Sequence, residues 1–478
     1  MSEAAIPAVA ANGFAGPAAT AFPHAHDVSW TQTLAPVGGD PAGRGEGSHG
    51  TGDAPAAAPV AAEPVPAEGA GAPGAKKQAY PTPAAIFTQS GPEGMRFDFN
   101  EGARLALPDG KWTAIYRDLD TGNVVFQVDC GRTEIKSRKR HFCRFRIEVW
   151  SDGRLVMEHD YDARGKDVAV YLPVGTLGDS IGWLPYAVRF QETHGCKLTV
   201  AMAPWLIDLF QGAYPHVNMV SHEDFEPIKD RFYASYYIGL FFDDDHNAFQ
   251  PADFRIVGLH RTAGYILGVD PTEAPPRVVI QDEDTRPIAE PYVVIASQSS
   301  SQCKYWNNPS GWWDVVAFLK QKGYRVVCID QQRVHGSGIV FNHIPHGAED
   351  ETGNRPLTER ARWLKHAEFF VGLSSGLSWL AWAVGTPVVM ISGFTHPTNE
   401  FHTPYRVFNT HACNSCWHDV RHRFEHENFL FCPRLKDTPR QFECTRLITS
   451  AHVIRTIRRI PGVDAFQATH DHHDRAPV

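Results

Sequence analysis

The sequence predicts an α/β protein in which a small antiparallel β domain precedes two Rossmann-like domains, with a four-cysteine metal finger near the C-terminus. Strand-like and helix-like patterns alternate in two blocks, and such alternation is typical of parallel sheets covered by helices on both faces. The four cysteines are spaced C-x2-C-x15-C-x11-C, which indicates a segment tied by a metal ion. The predicted boundaries are 1–82 for a head rich in Ala, Pro and Gly, 83–167 for the β domain, 168–285 and 286–405 for the two Rossmann-like domains, 406–446 for the finger, 447–465 for a C-terminal helix and 466–478 for a tail.

The composition is typical of a soluble cytoplasmic enzyme. Of 478 residues, 43% are hydrophobic and 21% are charged, and the net charge of −9 disfavours free nucleic acid as a partner. Five of the nine cysteines lie singly outside the finger, as reduced core residues do, so a cytoplasmic location is expected. The chain shows no signal-peptide pattern and no uninterrupted apolar run of about eighteen residues, so no membrane span is expected.

The first half of the chain changes character twice. The head, 1–82, has few large aliphatic residues and cannot bury enough apolar surface to offset the entropy lost on ordering, so it is predicted to be disordered. From about residue 85 to 170, short runs alternate apolar and polar residues between turn sequences. The strands predicted from these runs are Trp112–Asp118, Val124–Val128, Phe142–Trp150 and Leu155–Asp160.

Two blocks of alternating strands and helices follow. The first block predicts strands at Val168–Pro173 and Lys197–Met202 and helices at Asp179–Glu192 and Leu206–Gly212. The second block predicts, in order, Tyr292–Ala296, Gly311–Lys322, Arg325–Ile329, Leu357–Ala367, Phe369–Gly372, Leu377–Val384 and Val388–Ile391. Ligands of such sheets bind beyond the carboxyl ends of the strands, so the cleft between the blocks is the predicted site. A last amphipathic helix is predicted over Ser450–Arg459, and the histidines of the tail are predicted to be solvated.

A glycine-rich turn, Gly175-Thr-Leu-Gly-Asp-Ser-Ile-Gly182, connects the first strand of this region to its helix. Its small residues leave backbone amides accessible at a helix N-terminus, where an anionic group is favoured. Thr176, Leu177 and Gly178 are therefore candidate substrate-binding residues. Asp179 fits two interpretations equally: an acidic residue that favours the helix dipole, or a catalytic carboxylate that takes a proton from an acceptor hydroxyl.

A second turn, Gly372-Leu-Ser-Ser-Gly-Leu-Ser-Trp379, has the same context in the second block. Ser374, Ser375, Gly376 and Leu377 are candidate ligands of a pyrophosphate, with a plain strand-to-helix connection as the alternative. Lys304 follows the first strand of this block, where its charge can neutralise a diphosphate leaving group; an ordinary surface lysine is the weaker interpretation.

The finger contains Cys413, Cys416, Cys432 and Cys444 as candidate metal ligands. Four thiolates suit zinc or iron, and composition alone favours zinc, the commoner ion in structural sites of this kind. The acidic run Asp243–His246 invites comparison with the metal-binding Asp-x-Asp motif, but an acidic loop is the favoured interpretation.

The turn with Asp179, the lysine at 304 and the Gly-Leu-Ser-Ser-Gly-Leu-Ser-Trp turn together resemble the lipopolysaccharide heptosyltransferases, which are GT-B enzymes. The finger, the β domain and the run Leu259-His-Arg-Thr-Ala-Gly-Tyr265 extend the resemblance to the bacterial autotransporter heptosyltransferases, which modify serines of adhesins. The resemblance covers roughly residues 85 to 460, and its specificity rests on the combination of motifs. The usual lipopolysaccharide loop reads Asp-Thr-Gly, with a histidine in place of Trp379, so this chain departs from the lipopolysaccharide branch.

This resemblance implies a GT-B fold and transfer of heptose from ADP-heptose to serine hydroxyls of an autotransporter adhesin, without a catalytic metal. It implies that Asp179 is the general base, that Lys304 binds phosphate, and that Ser374, Ser375 and Gly376 form the pyrophosphate loop. It also implies a structural iron in the four-cysteine site, one per subunit, with zinc as the alternative. A homo-oligomer is implied as well, with a dodecamer as a possible assembly. Two other functions stay open: a lipopolysaccharide core heptosyltransferase, and a non-catalytic scaffold built around the metal finger.

Overall fold

The computed structural model describes residues 81–173 and 175–466, all of which belong to the compact unit Pro66–Val478. Its strands are β1 Gln89–Ser90, β2 Arg96–Asn100, β3 Arg104–Leu107, β4 Trp112–Asp118, β5 Val124–Cys130, β6 Thr133–Lys136, β7 Phe145–Ser151, β8 Arg154–Asp160, β9 Asp167–Tyr171, β10 Lys197–Met202, β11 Asn218–Ser221, β12 Ala234–Tyr237, β13 Tyr292–Ile295, β14 Arg325–Cys328, β15 Val334–Ser337, β16 Val340–His343, β17 Glu349–Asp350, β18 Phe370–Leu373, β19 Val388–Ile391 and β20 Arg406–Val407. Its helices are α1 Leu177–His194, α2 Pro204–Phe210, α3 His222–Phe225, α4 Phe254–Val257, α5 Arg261–Leu267, α6 Gly311–Gln321, α7 Leu357–Lys365, α8 Gly376–Ala383, α9 Glu443–Arg446 and α10 Ser450–Ile457. The head up to residue 80 and the histidines of the tail lie outside the described residues.

The first sheet combines parallel and antiparallel strands. Its order is β11-β10-β9-β12-β2-β3-β6, with β1 beside β2. Strands β9 to β12 are parallel to one another, and β2 joins them in parallel with Phe99 opposite Ala234. Strands β4, β5, β7 and β8 form a separate antiparallel sheet. The segment predicted as a β domain therefore contributes strands to two sheets, and the domain boundaries stay predictions.

The second sheet is entirely parallel, in the order β17-β14-β13-β18-β19-β20. The chain runs from β13 to β14 on one side and continues through β18 on the other, so the strand order reverses between β13 and β18. In open α/β sheets a ligand cleft forms at such a reversal, beyond the carboxyl ends of the strands. The loops that follow β13 and β18 therefore meet at one edge of the sheet.

Helix α1 connects the first sheet to the candidate site. Its inner face is fully buried and includes Trp183, Tyr186 and Phe190. The Trp183 indole donates a hydrogen bond to the carbonyl of Leu259, 2.7 Å away, so the helix is anchored to the chain segment before α5. Burial of aromatic side chains contributes roughly 1.5–3 kcal/mol each, which makes the position of the α1 N-terminus a consequence of packing along its whole length.

The finger segment has little regular structure. Between β20 and α9 the described chain forms turns and one 3-10 helix, Cys416–His418. Its interior is a cluster of aromatic and cysteine side chains that also receives residues from outside the finger. The buried members of this aromatic–cysteine cluster are Phe254, Cys303, Phe394, Cys416, Trp417, Phe424 and Phe431. The finger is therefore packed against the rest of the protein. After it, α10 covers β19 and β20 with Val453 and Ile457.

Across the part of the chain that the structure describes, no helix combines the length and apolar character needed to cross a bilayer.

Candidate active site

The first glycine-rich turn places Asp179 in the opening turn of α1. Thr176 is the residue before the helix, and its hydroxyl donates a hydrogen bond to the Asp179 carboxylate. Burial raises the pKa of Asp179, and the Thr176 hydrogen bond and the nearby Lys304 charge oppose this rise only in part. A carboxyl group with a raised pKa and few partners is suited to accept a proton.

The two glycine-rich turns lie directly against each other. A Cβ atom added to Gly178 would lie 2.8 Å from the Trp379 ring, and one added to Gly376 would lie 2.8 Å from Leu177. These glycines are required because the turns approach too closely for any side chain. The structure therefore brings Leu177 and Gly178 of the first turn against Gly376 and Trp379 of the second, and the binding of substrate by these turns stays a prediction.

The second turn is held by a buried carboxylate. The Ser374 hydroxyl donates a hydrogen bond to Glu400 at 2.5 Å, and Thr395 donates to Ser374 at 3.1 Å. Glu400, only 1% exposed, also forms an ion pair with Arg406 at 2.8 Å. Burial alone would raise the pKa of Glu400, but Arg406 and the hydrogen bonds from Ser374 and Asn399 lower it below the usual glutamate value. The Ser374 hydroxyl hydrogen is thus directed to Glu400.

Ser375 precedes helix α8 in an extended conformation, and no side-chain cap satisfies the first amides of that helix. The N–H groups of Gly376 and Leu377 are among the helix-terminal donors that have no partner within the helix. Together with the dipole of α8, they favour an anionic group at this point.

Lys304 lies at the end of a short 3-10 helix that follows β13. Its ammonium group lies 5.4 Å from the centre of the Phe424 ring and 3.5 Å from the Ser300 hydroxyl. Within residues 81–173 and 175–466 it forms no ion pair with a carboxylate, although its charge acts on Asp179. The positive charge is therefore available to an anionic ligand.

Several residues of this site were missed or held loosely by sequence reasoning. Arg406 was not singled out, because its contact with Glu400 is made by folding and has no motif. His260 is 1% exposed and lies 3.0 Å from Glu273, whose place in the site had no sequence signal. Trp379, the last residue of the second turn, is buried against His260 and Phe401 and so packs in the core.

The acidic run Asp243–His246 behaves as a structured loop. The carboxylate of Asp244 accepts hydrogen bonds from the backbone amides of Ala248, Phe249 and Gln250 at 2.8–2.9 Å. Asp243 pairs with Arg423 on the surface at 2.7 Å. These contacts account for Asp243 and Asp244 without a metal ion.

The four finger cysteines line one small cavity, together with Cys303. Burial raises the pKa of the Cys416 thiol to about 12, which means that a thiolate in this apolar cavity needs a cation. Arg434 approaches the Cys413 sulfur to 3.9 Å, and Glu443 accepts a hydrogen bond from the Cys413 amide at 3.0 Å. Within the described ranges, however, no three His, Cys, Asp or Glu side chains are arranged as a metal site. The donor set fits a soft or borderline metal ion, and the ion itself stays a prediction.

Comparisons with known proteins identify the family. Residues 91–153 match the family described as "Glycosyltransferase TibC, N-terminal domain", and residues 266–428 match "Glycosyltransferase family 9 (heptosyltransferase)". The autotransporter heptosyltransferase BAHTCr of Citrobacter rodentium is 52% identical over 381 residues, which is 79% of this chain and 92% of that protein. The chain belongs to the autotransporter heptosyltransferase family. The predicted family and the predicted class of enzyme, a glycosyltransferase, are thus confirmed.

A solved structure of a family member has the same fold. The iron-containing dodecameric glycosyltransferase TibC from enterotoxigenic E. coli H10407 is 50% identical, with a TM-score of 0.75, and the match covers 79% of this chain and 98% of that one. TibC has also been crystallised in complex with ADP-D-beta-D-heptose. The fold of this chain is therefore an α/β glycosyltransferase fold related to the GT-B heptosyltransferases.

One relative departs in function. BimC of Burkholderia thailandensis is named an inactive autotransporter heptosyltransferase and is 46% identical over 392 residues, 82% of this chain and 91% of that protein. Membership of the family therefore does not by itself establish heptose transfer. The case for transfer by this chain rests on the residues of its own site.

Proposed function

We propose that this protein transfers heptose from ADP-heptose to serine hydroxyls of an autotransporter adhesin, with Asp179 as the general base. The observation that carries the proposal is the convergence of three features on one cleft. These are a carboxylate with a raised pKa, a lysine without an ion-pair partner in the described chain, and the uncapped N-terminus of α8. The ADP-heptose complex of TibC supports the choice of donor.

In the proposed reaction, Asp179 accepts the proton of the serine hydroxyl. The serine oxygen forms a bond to the anomeric carbon of heptose, and the bond from that carbon to the diphosphate oxygen breaks. ADP leaves with the electron pair. Lys304 and the amides of Gly376 and Leu377 stabilise the negative charge that develops on the diphosphate. Thr176 keeps the Asp179 carboxylate oriented through its hydrogen bond.

A protein acceptor is favoured over a lipopolysaccharide core. The second turn contains Ser374 and Ser375 with Trp379, where the lipopolysaccharide branch usually has Asp-Thr-Gly and a histidine. In this structure Glu400 holds the turn through Ser374, and Trp379 packs in the core. The residues that differ from the lipopolysaccharide branch are therefore part of the packing and hydrogen bonding of the site. The names of the curated relatives support an autotransporter adhesin as the acceptor.

The same proposal includes a structural iron ion, one per subunit, held by Cys413, Cys416, Cys432 and Cys444, with zinc as the alternative. The iron in TibC and the shared cavity of the four thiols support it. When bound, the ion would tie the finger together and would take no part in transfer. We propose in addition a cytoplasmic homo-oligomer, for which the dodecamer of TibC is the precedent, and two Rossmann-like domains with the boundaries predicted above.

Metal analysis and thermal unfolding test the ligand assignment. Cys413→Ser should release the metal and destabilise the finger, because coordination contributes to its folding free energy. Cys303→Ser is the matched control, since Cys303 lines the same cavity but is not a proposed ligand. If Cys413→Ser keeps both metal and thermal stability, the assignment is wrong.

The intact mass of an adhesin fragment after incubation with ADP-heptose tests the proposed transfer. A mass gain of one or more heptoses is expected with the native protein. Asp179→Ala should lower the rate by about 10²–10⁴-fold, the usual contribution of a general base. Asp208→Ala removes an exposed carboxylate from α2 and should leave the rate unchanged. Unaltered glycosylation by Asp179→Ala would remove this residue from catalysis.

Two outcomes would favour the alternatives. Heptose added to a core oligosaccharide but not to the adhesin would identify a lipopolysaccharide enzyme. Absence of transfer to either acceptor, with ADP-heptose still bound, would favour the non-catalytic scaffold; BimC is a relative that is named inactive.

A further inference from the structure

The loop that contains Lys304 is bonded to the finger on both sides of the lysine. The amide of Gln302 donates to the carbonyl of Phe429 at 2.8 Å, and the Ser301 hydroxyl donates to the same carbonyl at 3.0 Å. After the lysine, the side chain of Asn307 donates to Thr445 at 2.9 Å. The finger thus determines where this loop lies beyond the end of β13.

Beneath the lysine the finger contributes an aromatic ring. The Lys304 ammonium lies 5.4 Å from the centre of the Phe424 ring. Phe424 is 6% exposed, and its ring is fixed by Phe394 at 5.1 Å, Phe431 at 5.2 Å and Trp417 at 5.6 Å between ring centres. The ring cannot move away without disrupting the aromatic–cysteine cluster.

An aromatic ring holds an ammonium group without neutralising it. The negative face of the ring attracts the cation, with a strength that rises when water is excluded. A carboxylate in the same place would compete with a diphosphate for the lysine, whereas a ring leaves the full positive charge for the ligand. The flexible lysine side chain also loses less rotamer freedom on binding when it is already held in place.

We propose that Phe424 is a positioning residue for the donor: its ring holds the Lys304 ammonium where the diphosphate of the nucleotide sugar binds. This inference rests on the proposed function, in which Lys304 binds the diphosphate, and it makes the finger a structural part of the donor site. It concerns Phe424 and the loop contacts, and it does not depend on which ion the cysteines bind.

The dissociation constants of ADP and adenosine, measured by calorimetry on the full-length protein, test this proposal. Phe424→Leu keeps an apolar side chain but removes the ring, and should weaken ADP binding by about three- to tenfold, as expected for a partly desolvated cation–π contact. Adenosine, which lacks the diphosphate, should bind with unchanged affinity. Phe424→Tyr keeps the aromatic face and should restore ADP affinity. Phe424→Met serves the same test if the leucine variant does not fold.

Phe254→Leu is the matched control. Phe254 is a fully buried ring of the same cluster without a lysine above it, so its loss should lower thermal stability while the ratio of ADP to adenosine affinity stays constant. In a Lys304→Met background, Phe424→Leu should have no further effect on ADP affinity, because the two residues act on one interaction.

The outcomes separate this inference from the proposed function. If Lys304→Met leaves ADP affinity unchanged, the lysine does not bind the diphosphate and the role given to it in the proposed function is wrong. If Lys304→Met weakens ADP binding but Phe424→Leu changes the ADP to adenosine ratio no more than Phe254→Leu does, Phe424 only packs in the cluster and this inference alone is overturned.

Discussion

Asp179 and Glu400 are two carboxylates of the same cleft whose pKa values are shifted in opposite directions. The Asp179 carboxylate accepts one hydrogen bond, from the Thr176 hydroxyl, and the positive charge of Lys304 acts on it without direct contact. Burial nevertheless raises its pKa. Glu400 is more deeply buried, yet its pKa is lowered because Arg406 and several hydrogen bonds more than offset the cost of burial. The comparison shows that burial alone does not decide whether a carboxylate is reactive; the number of its partners does.

The two states suit two tasks. The first glycine-rich turn places Asp179 where burial disfavours the charged form of its carboxyl group. Accepting a proton is therefore more favourable for Asp179 than for an ordinary aspartate. The turn before α8 is fixed by Glu400, so its backbone amides are held in place before a ligand arrives. The two groups also affect stability with opposite sign. As pH rises, Glu400 adds stability between its lowered pKa and the usual glutamate value, whereas Asp179 removes stability between the usual aspartate value and its raised pKa.

The largest effect is expected from removing the well-partnered carboxylate. Glu400→Ala leaves the Arg406 guanidinium, which is 12% exposed, without its ion-pair partner. Loss of one partner of a buried pair destabilises by about 3–5 kcal/mol, which unfolding by urea would measure. Glu349→Ala breaks a much more exposed pair with Arg325 and should cost no more than about 1 kcal/mol. Equal losses in the two variants would show that the Glu400 network is not the support of the second turn.

The partners of Glu400 also show where sequence reasoning stopped. The alternation of strands and helices is a local pattern, and it predicted α8 at Leu377–Val384 against the observed Gly376–Ala383, and β18 at Phe369–Gly372 against Phe370–Leu373. The glycine-rich turns were predictable too, because their small residues are needed locally for close approach.

Contacts between distant segments had no such signal. The pairing of β2 with β12 joins residues far apart in the chain, so β1, β2, β3 and β6 were predicted with the β domain although they continue the first sheet. The contact of Lys304 with Phe424 likewise joins a loop to the finger through folding alone. The candidate residues could therefore be found from motifs, whereas their electrostatic states could not.

A smaller effect, of opposite sign, is expected at the poorly partnered carboxylate. Burial raises the pKa of Asp179, so the folded protein binds more protons here than the unfolded chain, and stability is lost as pH rises from the usual aspartate value through the raised one. Asp179→Asn should therefore increase the free energy of unfolding at about pH 8, and the gain should disappear at about pH 3, where the carboxyl group of the native protein is protonated as well. Asp208→Asn, at an exposed position, should change stability at neither pH. A loss of stability in Asp179→Asn would mean that the carboxylate is well partnered after all.

The smallest effect is a shift in the pH dependence of transfer. If Asp179 is the base, kcat/KM should rise with pH and reach half its maximum above the usual aspartate value of 3.8, because burial raises the pKa of this carboxyl group. The Lys304 charge lowers that pKa, so Lys304→Met should move the midpoint to still higher pH, in addition to reducing donor affinity. Lys304→Arg keeps the charge and should leave the midpoint in place. A midpoint that moves down in Lys304→Met, or does not move, would show that the lysine and the carboxylate do not act on each other, and the contrast between the two carboxylates would then rest on burial and hydrogen bonding alone.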